Sequence, residues 1–287
     1  METYKIKELW RFPVKSMGGE QLDHLELDAD GVAGDRRFAL RDHETGLIAS
    51  AKRPGRWGIL LACRATTDGD GDVTVALPDG STFQAGDEAL DDALSELTRR
   101  RVTLEHVDTV GDDTSLDFEV AYPELDHVQL RGRFPFPAAA FTDAGSYVDG
   151  AAVHLITTST MAAIAAASGA ADVTAVRMRP NVVIDSGQAV GYVEDDWAGS
   201  TVRLGSDVAL FRVTRTARCI MTSVEQPGIP RDNRILQAIA RENRMSIETM
   251  GQLPCAGLFG EVDSPGIVAQ GDLLAIDRVA AERAPTG

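Results

Sequence analysis

The chain is predicted to be mixed α/β and mainly β, built from barrel-like sheets with flanking helices. Two observations predict this. Short strand-like runs recur along most of its 287 residues. Few segments space their apolar residues as a helix does, so closed or barrel-like sheets fit better than a doubly wound parallel sheet. Strands are expected at 4–10, 22–27, 36–41, 59–66, 73–77 and 101–107. Leu77-Pro-Asp-Gly80 supplies a turn between two hairpin arms. Residues 87–98 read as a helix, because Leu90, Leu94 and Leu97 recur at helical spacing. Acids crowd its start and Arg99–Arg101 its end, an order that complements the helix dipole, so this arginine triplet reads as structural. Residues 108–150 are polar and irregular, with Pro123, Pro135 and Pro137. A module boundary or a long loop over the active site is expected here. The expected division is 1–125, 126–279 and a C-terminal tail, 280–287. A strand at 152–157 leads into an Ala-rich helix over about 159–168, closed by Gly169. Strands at 182–185, 201–204 and 208–217 follow. Residues 231–244 form an amphipathic helix on Ile235, Leu236 and Ile239, and a strand at 273–277 ends the ordered pattern.

The formal net charge of −16 argues against nucleic acid or an anionic membrane as a main partner. Cys63, Cys219 and Cys255 are odd in number and widely spaced, so a disulfide framework is not expected and a reducing, cytoplasmic setting fits. The first residues hold no apolar signal core, and no long apolar run suggests a membrane span. Asp68-Gly-Asp-Gly-Asp72 imitates the start of a calcium loop, but its sixth position is Val73 and its twelfth Asp79, so it reads as a solvated turn. The five histidines show no metal spacing. His154 reads as a satisfied core histidine, Cys63 as a buried small hydrophobe, and Cys255 as part of a Pro/Gly-rich loop open to exposure.

The strongest local signal is Arg215-Thr-Ala-Arg218-Cys219. A cation beside a thiol stabilises the thiolate, the form needed by a soft metal ligand or a nucleophile. Strict strand alternation would put Arg218 and Cys219 on opposite faces, so the strand is expected to end or bulge there. Arg177, Arg179, Arg212, Arg215 and Arg218, with Lys15 and Arg36–Arg37, concentrate positive charge in an acidic chain. Two readings stay open: a pocket for an anion such as phosphate, or salt bridges to the surplus carboxylates.

Several stretches, in order, resemble the MOSC family (the molybdenum-cofactor sulfurase C-terminal domain), in its two-part form with an N-terminal β-barrel module. They are Leu9-Trp-Arg-Phe-Pro-Val-Lys-Ser16, Gly34-Asp-Arg36-Arg-Phe38, Asp149-Gly150 before Leu155-Ile-Thr157, Met178-Arg-Pro-Asn-Val-Val-Ile184, Glu194-Asp-Asp-Trp197, Arg218-Cys-Ile-Met-Thr-Ser-Val224, Leu258-Phe-Gly260, Pro265-Gly and Gly271-Asp. The chain is most similar to the branch that holds the mitochondrial amidoxime-reducing components and their bacterial relatives. The resemblance implies that Cys219 is a molybdenum ligand and that Lys15 and Ser16, with Arg36 beside them, hold the pterin of a molybdenum cofactor. It also implies that Arg179 and Asn181 bind the cofactor, that Asp149 and Gly150 line it, that Arg218 precedes the ligand cysteine, and that Asp195 lies in a nearby motif. The implied activity is a molybdenum-cofactor oxidoreductase that reduces small N-hydroxylated or N-oxide compounds. The chain shows no Cys-rich iron–sulfur domain, so electrons are expected from a separate donor of iron–sulfur, flavin or haem type. Ala151-Ala152 replaces bulkier residues and suggests a wider pocket. The alternatives are a sulfur or cofactor carrier working with a pyridoxal-phosphate desulfurase, and a binding module without the metal.

Overall fold

The computed structural model describes residues 4–111, 116–122, 132–136, 145–247 and 251–278. Its centre is a closed ring of seven strands among these residues. The ring runs Val153–Thr157, Val182–Asp185, Tyr4–Arg11, Leu273–Asp277, Thr201–Leu204, Val208–Ala217 and Gly251–Ser264, and the last pairs back onto the first. Neighbours in it are antiparallel except Val153–Thr157 and Val182–Asp185. That parallel pair needs a crossover, which the helix Thr158–Ser168 supplies. Leu9, Leu155, Val182, Val202, Leu210 and Leu258 fill the barrel interior and are fully buried. Burial of each such side chain contributes about 1.5–3 kcal/mol.

A second core lies under the N-terminal sheets. Phe38–Asp42 pairs with Val102–His106, and Arg64–Thr67, Val73–Ala76 and Thr82–Gln84 form a meander. The helix Glu88–Thr98 closes this core with Leu90 and Leu94, against Met17, Trp57, Leu60 and Val75. Arg100 of the arginine triplet binds Asp42 at 2.7 Å and Glu44 at 2.8 Å, a structural use. The first strand, Tyr4–Arg11, belongs spatially to the large barrel although it starts the chain. Phe118–Tyr122 pairs with Gly132–Phe136 where the sequence suggested irregular chain. The 125/126 boundary and the 280–287 tail fall outside the described residues. No helix among the described residues is long and apolar enough to cross a membrane.

Three expectations are corrected. Residues 59–66 are not one strand: Gly58–Ala62 is a 3-10 turn, and the strand is Arg64–Thr67. The amphipathic helix spans Asn233–Glu242, shorter than 231–244, because Asp232 caps its start and the chain leaves Asn243 as the strand Arg244–Ile247. The Pro/Gly-rich stretch around Cys255 is no exposed loop. It is the 14-residue strand Gly251–Ser264, and Cys255 is fully buried. Pro254, Gly257 and Gly260 hid it, since these residues normally weaken a strand. Gly257 takes a left-handed φ of +83°, and a Cβ there would come within 2.6 Å of the Leu155 carbonyl oxygen. Asp68 folds its turn by accepting from the Asp70 and Asp72 amides, and no metal-holding cluster occurs among the described residues.

Buried Glu194 ties two elements together. Its carboxyl accepts from the Thr157 and Thr160 hydroxyls, both at 2.6 Å, at the start of the helix Thr158–Ser168. Burial raises its pKa above the ordinary glutamate value. The folded state therefore holds the proton more tightly than the unfolded state does. The stability this group contributes is complete below the ordinary glutamate pKa and is lost as pH rises through the raised value. Glu194→Gln is expected to flatten that fall. Urea unfolding of both proteins across the acid-to-neutral range checks it, and an identical slope in the two would refute the assignment.

Candidate anion pocket beside Cys219

The site forms where the N-terminal core meets the mouth of the barrel. After the strand Tyr4–Arg11 the chain is held by the Phe12 amide, which donates to the Asp35 carboxylate at 2.7 Å, and by the Lys15 amide, which donates to the Phe38 carbonyl at 2.8 Å. Ser16, Arg36 and Arg179 all take positive φ, at 68°, 48° and 56°. Three of the five such non-glycine residues among those described thus sit at one place. Backbone strain of this kind costs on the order of 1–3 kcal/mol per residue and gathers where a site demands it.

The resulting cleft is lined by Lys15, Ser16, Arg36, Asp149, Gly150 and Arg179, and equally by Asn181, Arg218 and Cys219. All nine residues that the family resemblance implied for the site therefore line it. Counted out to its open mouth, the space is about 1050 Å³. Lys52 lines it as well, which makes five cationic side chains against the single carboxylate of Asp149. In a chain of net charge −16, this is a strong local reversal of sign.

Aromatic faces steady four of the five cations. The Arg36 and Arg179 guanidinium groups lie on the Phe12 ring, at 4.7 and 4.3 Å from its centroid. The Lys15 and Lys52 ammonium groups lie on the Phe118 ring, at 4.1 and 4.6 Å. An aromatic face steadies a cation but leaves its charge in place. Arg36 also pairs with Asp35 and donates to the Arg179 carbonyl at 3.3 Å. Arg218 donates to the Met178 carbonyl at 2.6 Å and to His154 Nε2 at 3.1 Å. Arg179 Nη1 and Arg218 Nε are buried and have no hydrogen-bond partner among the described residues. A buried unpaired donor costs about 1–3 kcal/mol, a cost an oxyanion in the cleft would remove.

Lys15 donates to the Tyr147 carbonyl at 2.8 Å and to Asp149 at 2.7 Å. Asp149 also meets Lys52 at 3.2 Å. Burial lowers the Lys15 pKa to about 8 in spite of Asp149. The two lysines hold the Asp149 carboxyl well below the usual range, although burial alone would raise it. The Ser16 hydroxyl accepts from the Ala51 amide at 3.0 Å, and the Asn181 carboxamide bonds Trp10 and the His154 amide. Both residues hold backbone in place at the pocket wall.

Cys219 is partly exposed on that wall. The strand Val208–Ala217 shifts register between Arg215 and Ala217 and ends before Arg218, so strict alternation is broken where the expectation required it. The short 3-10 turn Ile220–Ser223 follows, and the Thr222 hydroxyl donates to the Cys219 carbonyl at 3.1 Å.

The arginines divide between two settings: some line the cleft and others are paired elsewhere. Arg179, Arg218, Arg36 and Lys15 face the cleft. Arg177 is buried in a backbone clamp with Asp172, Arg212 pairs with Glu261 at 3.2 Å, Arg215 donates to the Asp195 carbonyl at 2.9 Å, and Arg37 pairs with Asp108. Asp195 bonds Asn243 at 2.6 Å and is not among the residues lining the cleft. Lys52, His154 and Thr216 line it and were missed as site residues. Lys52 carried a signal, as one of four lysines in the chain. His154 and Thr216 carried none, since nothing in a strand pattern says which buried residue ends at a cavity.

Residues 3–115 match the MOSC N-terminal beta barrel domain and residues 142–275 match the MOSC domain. Among solved structures, the YUAD protein from Bacillus subtilis is similar at 15% identity over 97% of each chain, with a TM-score of 0.43. No curated protein matches the chain. The chain belongs to the MOSC family in its two-module form, and MOSC domains are associated with molybdenum-cofactor proteins of the sulfurase and reductase type.

Proposed function

We propose that this protein binds a molybdenum cofactor and reduces small N-hydroxylated or N-oxide compounds. The observation that carries the proposal is the pairing of a partly exposed thiol with buried, unpartnered arginine donors in one cation-lined cleft. A phosphorylated pterin dithiolene complex needs both kinds of group: a soft sulfur ligand for the metal and fixed cations for the phosphate. The residues present fit it. Cys219 would hold the metal, and Arg179, Arg36 and Lys15 would hold the anionic part. The bound group supplies two-electron reduction at the N–O bond, which consumes two protons and releases water.

The protein's own contribution is orientation and electrostatics. Lys15 and Lys52 keep Asp149 ionised at the pocket wall, so a polar substrate meets a fixed carboxylate flanked by ammonium groups. Burial behind the Phe12 and Phe118 rings lowers the local dielectric and strengthens each of these interactions. Electrons come from a separate donor protein.

The test is molybdenum content by elemental mass spectrometry, on protein from a host that makes the cofactor. Near-stoichiometric metal in the wild type and its loss in Cys219→Ala are expected. Metal in neither protein would sink the proposal, and a persulfide on Cys219 after incubation with a cysteine desulfurase would then favour the carrier alternative.

A further inference from the structure

We propose that His154 is a positioning residue, whose neutral imidazole orients the arginines of this pocket for a phosphate or similar oxyanion without neutralising them. The inference rests on the anion-binding reading of the cleft, and not on the metal.

Arginine has no acceptor atom, so the 3.1 Å contact between Arg218 Nη1 and His154 Nε2 is a hydrogen bond in the tautomer that leaves Nε2 bare, against the pull of the Ala256 carbonyl, which also meets the ring. In that tautomer the proton sits on Nδ1, which faces the Arg179 carbonyl at 3.3 Å. One ring thereby accepts from the side chain of one pocket arginine and donates to the backbone of the other. The His154 peptide group adds two more ties to the same segment. Its amide donates to Asn181 Oδ1 at 3.0 Å, and its carbonyl accepts from the Asn181 amide at 2.7 Å.

The placement of the ring is enforced from two sides. Phe259 packs against it with centroids 5.4 Å apart. At Gly257 a Cβ would lie 2.7 Å from Nε2, so a side chain there would drive the ring off its partner. Burial, with Arg218 beside it, holds the imidazole in the neutral form.

The neutrality has a purpose in the charge balance. A carboxylate in this place would orient Arg218 equally well but would cancel its charge and compete with an incoming anion. A neutral acceptor leaves the full charge directed at the ligand. With Nη1 on His154 and Nη2 on Met178, Arg218 keeps Nε unpaired. With its carbonyl fixed by His154 and Arg36, the left-handed turn at Arg179 keeps Nη1 unpaired.

The experiment uses the cofactor-free full chain, with inorganic phosphate as the probe in titration calorimetry. His154→Leu is expected to weaken phosphate binding about tenfold, the worth of a charge-assisted hydrogen bond. His154→Gln, which offers one acceptor and one donor, is expected to restore binding to within about twofold. Long-range 15N–1H spectra of the wild type are expected to show Nδ1 protonated and Nε2 bare at neutral pH, a result that needs no variant to fold. Unchanged phosphate affinity in the Leu variant, no phosphate binding in the wild type, or an Nε2-protonated or doubly protonated ring would overturn the inference. Intact phosphate binding, together with no molybdenum in protein from a host that makes the cofactor, would sink the cofactor proposal and leave this one standing.

Discussion

Cys219→Ala is expected to abolish turnover of an N-hydroxylated substrate, a loss of at least about 10³-fold or about 4 kcal/mol in barrier, with little change in thermal midpoint. The fold does not depend on this thiol. The loop that follows it is anchored by Ile220 and Val224, which pack on Ala51 and Leu61 of the N-terminal module. The other two cysteines serve as controls. Cys63 and Cys255 are fully buried, and burial pushes both thiols up to about 12. At neutral pH they are small apolar side chains, closed to a ligand role. Cys63→Ala and Cys255→Ala are therefore expected to lower stability by about 1 kcal/mol through lost packing and to leave metal and turnover in place. Steady-state turnover, metal analysis and thermal unfolding of the three variants check this. Metal loss in a Cys255 variant with retention in Cys219→Ala would reverse the ligand assignment.

Arg177→Met should destabilise the protein by about 3–5 kcal/mol, the usual cost of breaking a buried ionic network from one side. Arg177 has no exposed side-chain surface. It donates to the Thr222, Val224 and Pro230 carbonyls at 3.1, 3.4 and 2.9 Å, and to the Asp172 carboxylate at 2.5 Å. Methionine fills a similar volume but leaves those acceptors unpaired. Because Thr222 bonds the Cys219 carbonyl, the loss spreads to the wall that carries the thiol. Chemical denaturation measures the effect. A destabilisation below about 1 kcal/mol would mean that water replaces the guanidinium without strain.

Arg177 and Arg179 show what a linear reading can and cannot separate. They are two residues apart, equally basic, and were grouped as candidates for one anion site. The short helix Ala175–Met178 ends between them, and Arg179 takes a left-handed conformation. That turn sends one guanidinium into a clamp of carbonyls and the other onto the Phe12 ring at the cleft. The strand Gly251–Ser264 shows the same limit for the fold. Its Pro and Gly residues read as a loop because local propensity is all a single chain displays. In the barrel Gly257 permits the close approach of Leu155 and His154, which a Cβ would block. Where the pattern was locally consistent, the reading and the structure coincide: 201–204, 208–217 and 273–277 are strands with those same bounds.

By itself the sequence determined the mainly β class and the family, and it singled out one thiol and a group of cations as candidates for a site. These follow from periodicity, from motif order and from the chemistry of thiol and guanidinium groups, which need no coordinates. Tertiary structure alone decided which cations remain available. Charge is a property of a residue, but pairing is a property of its neighbours in space. Arg212 and Arg215 meet carboxylate-bearing residues, while Arg179 and Arg218 meet a ring, carbonyls and a histidine and make no ion pair among the described residues.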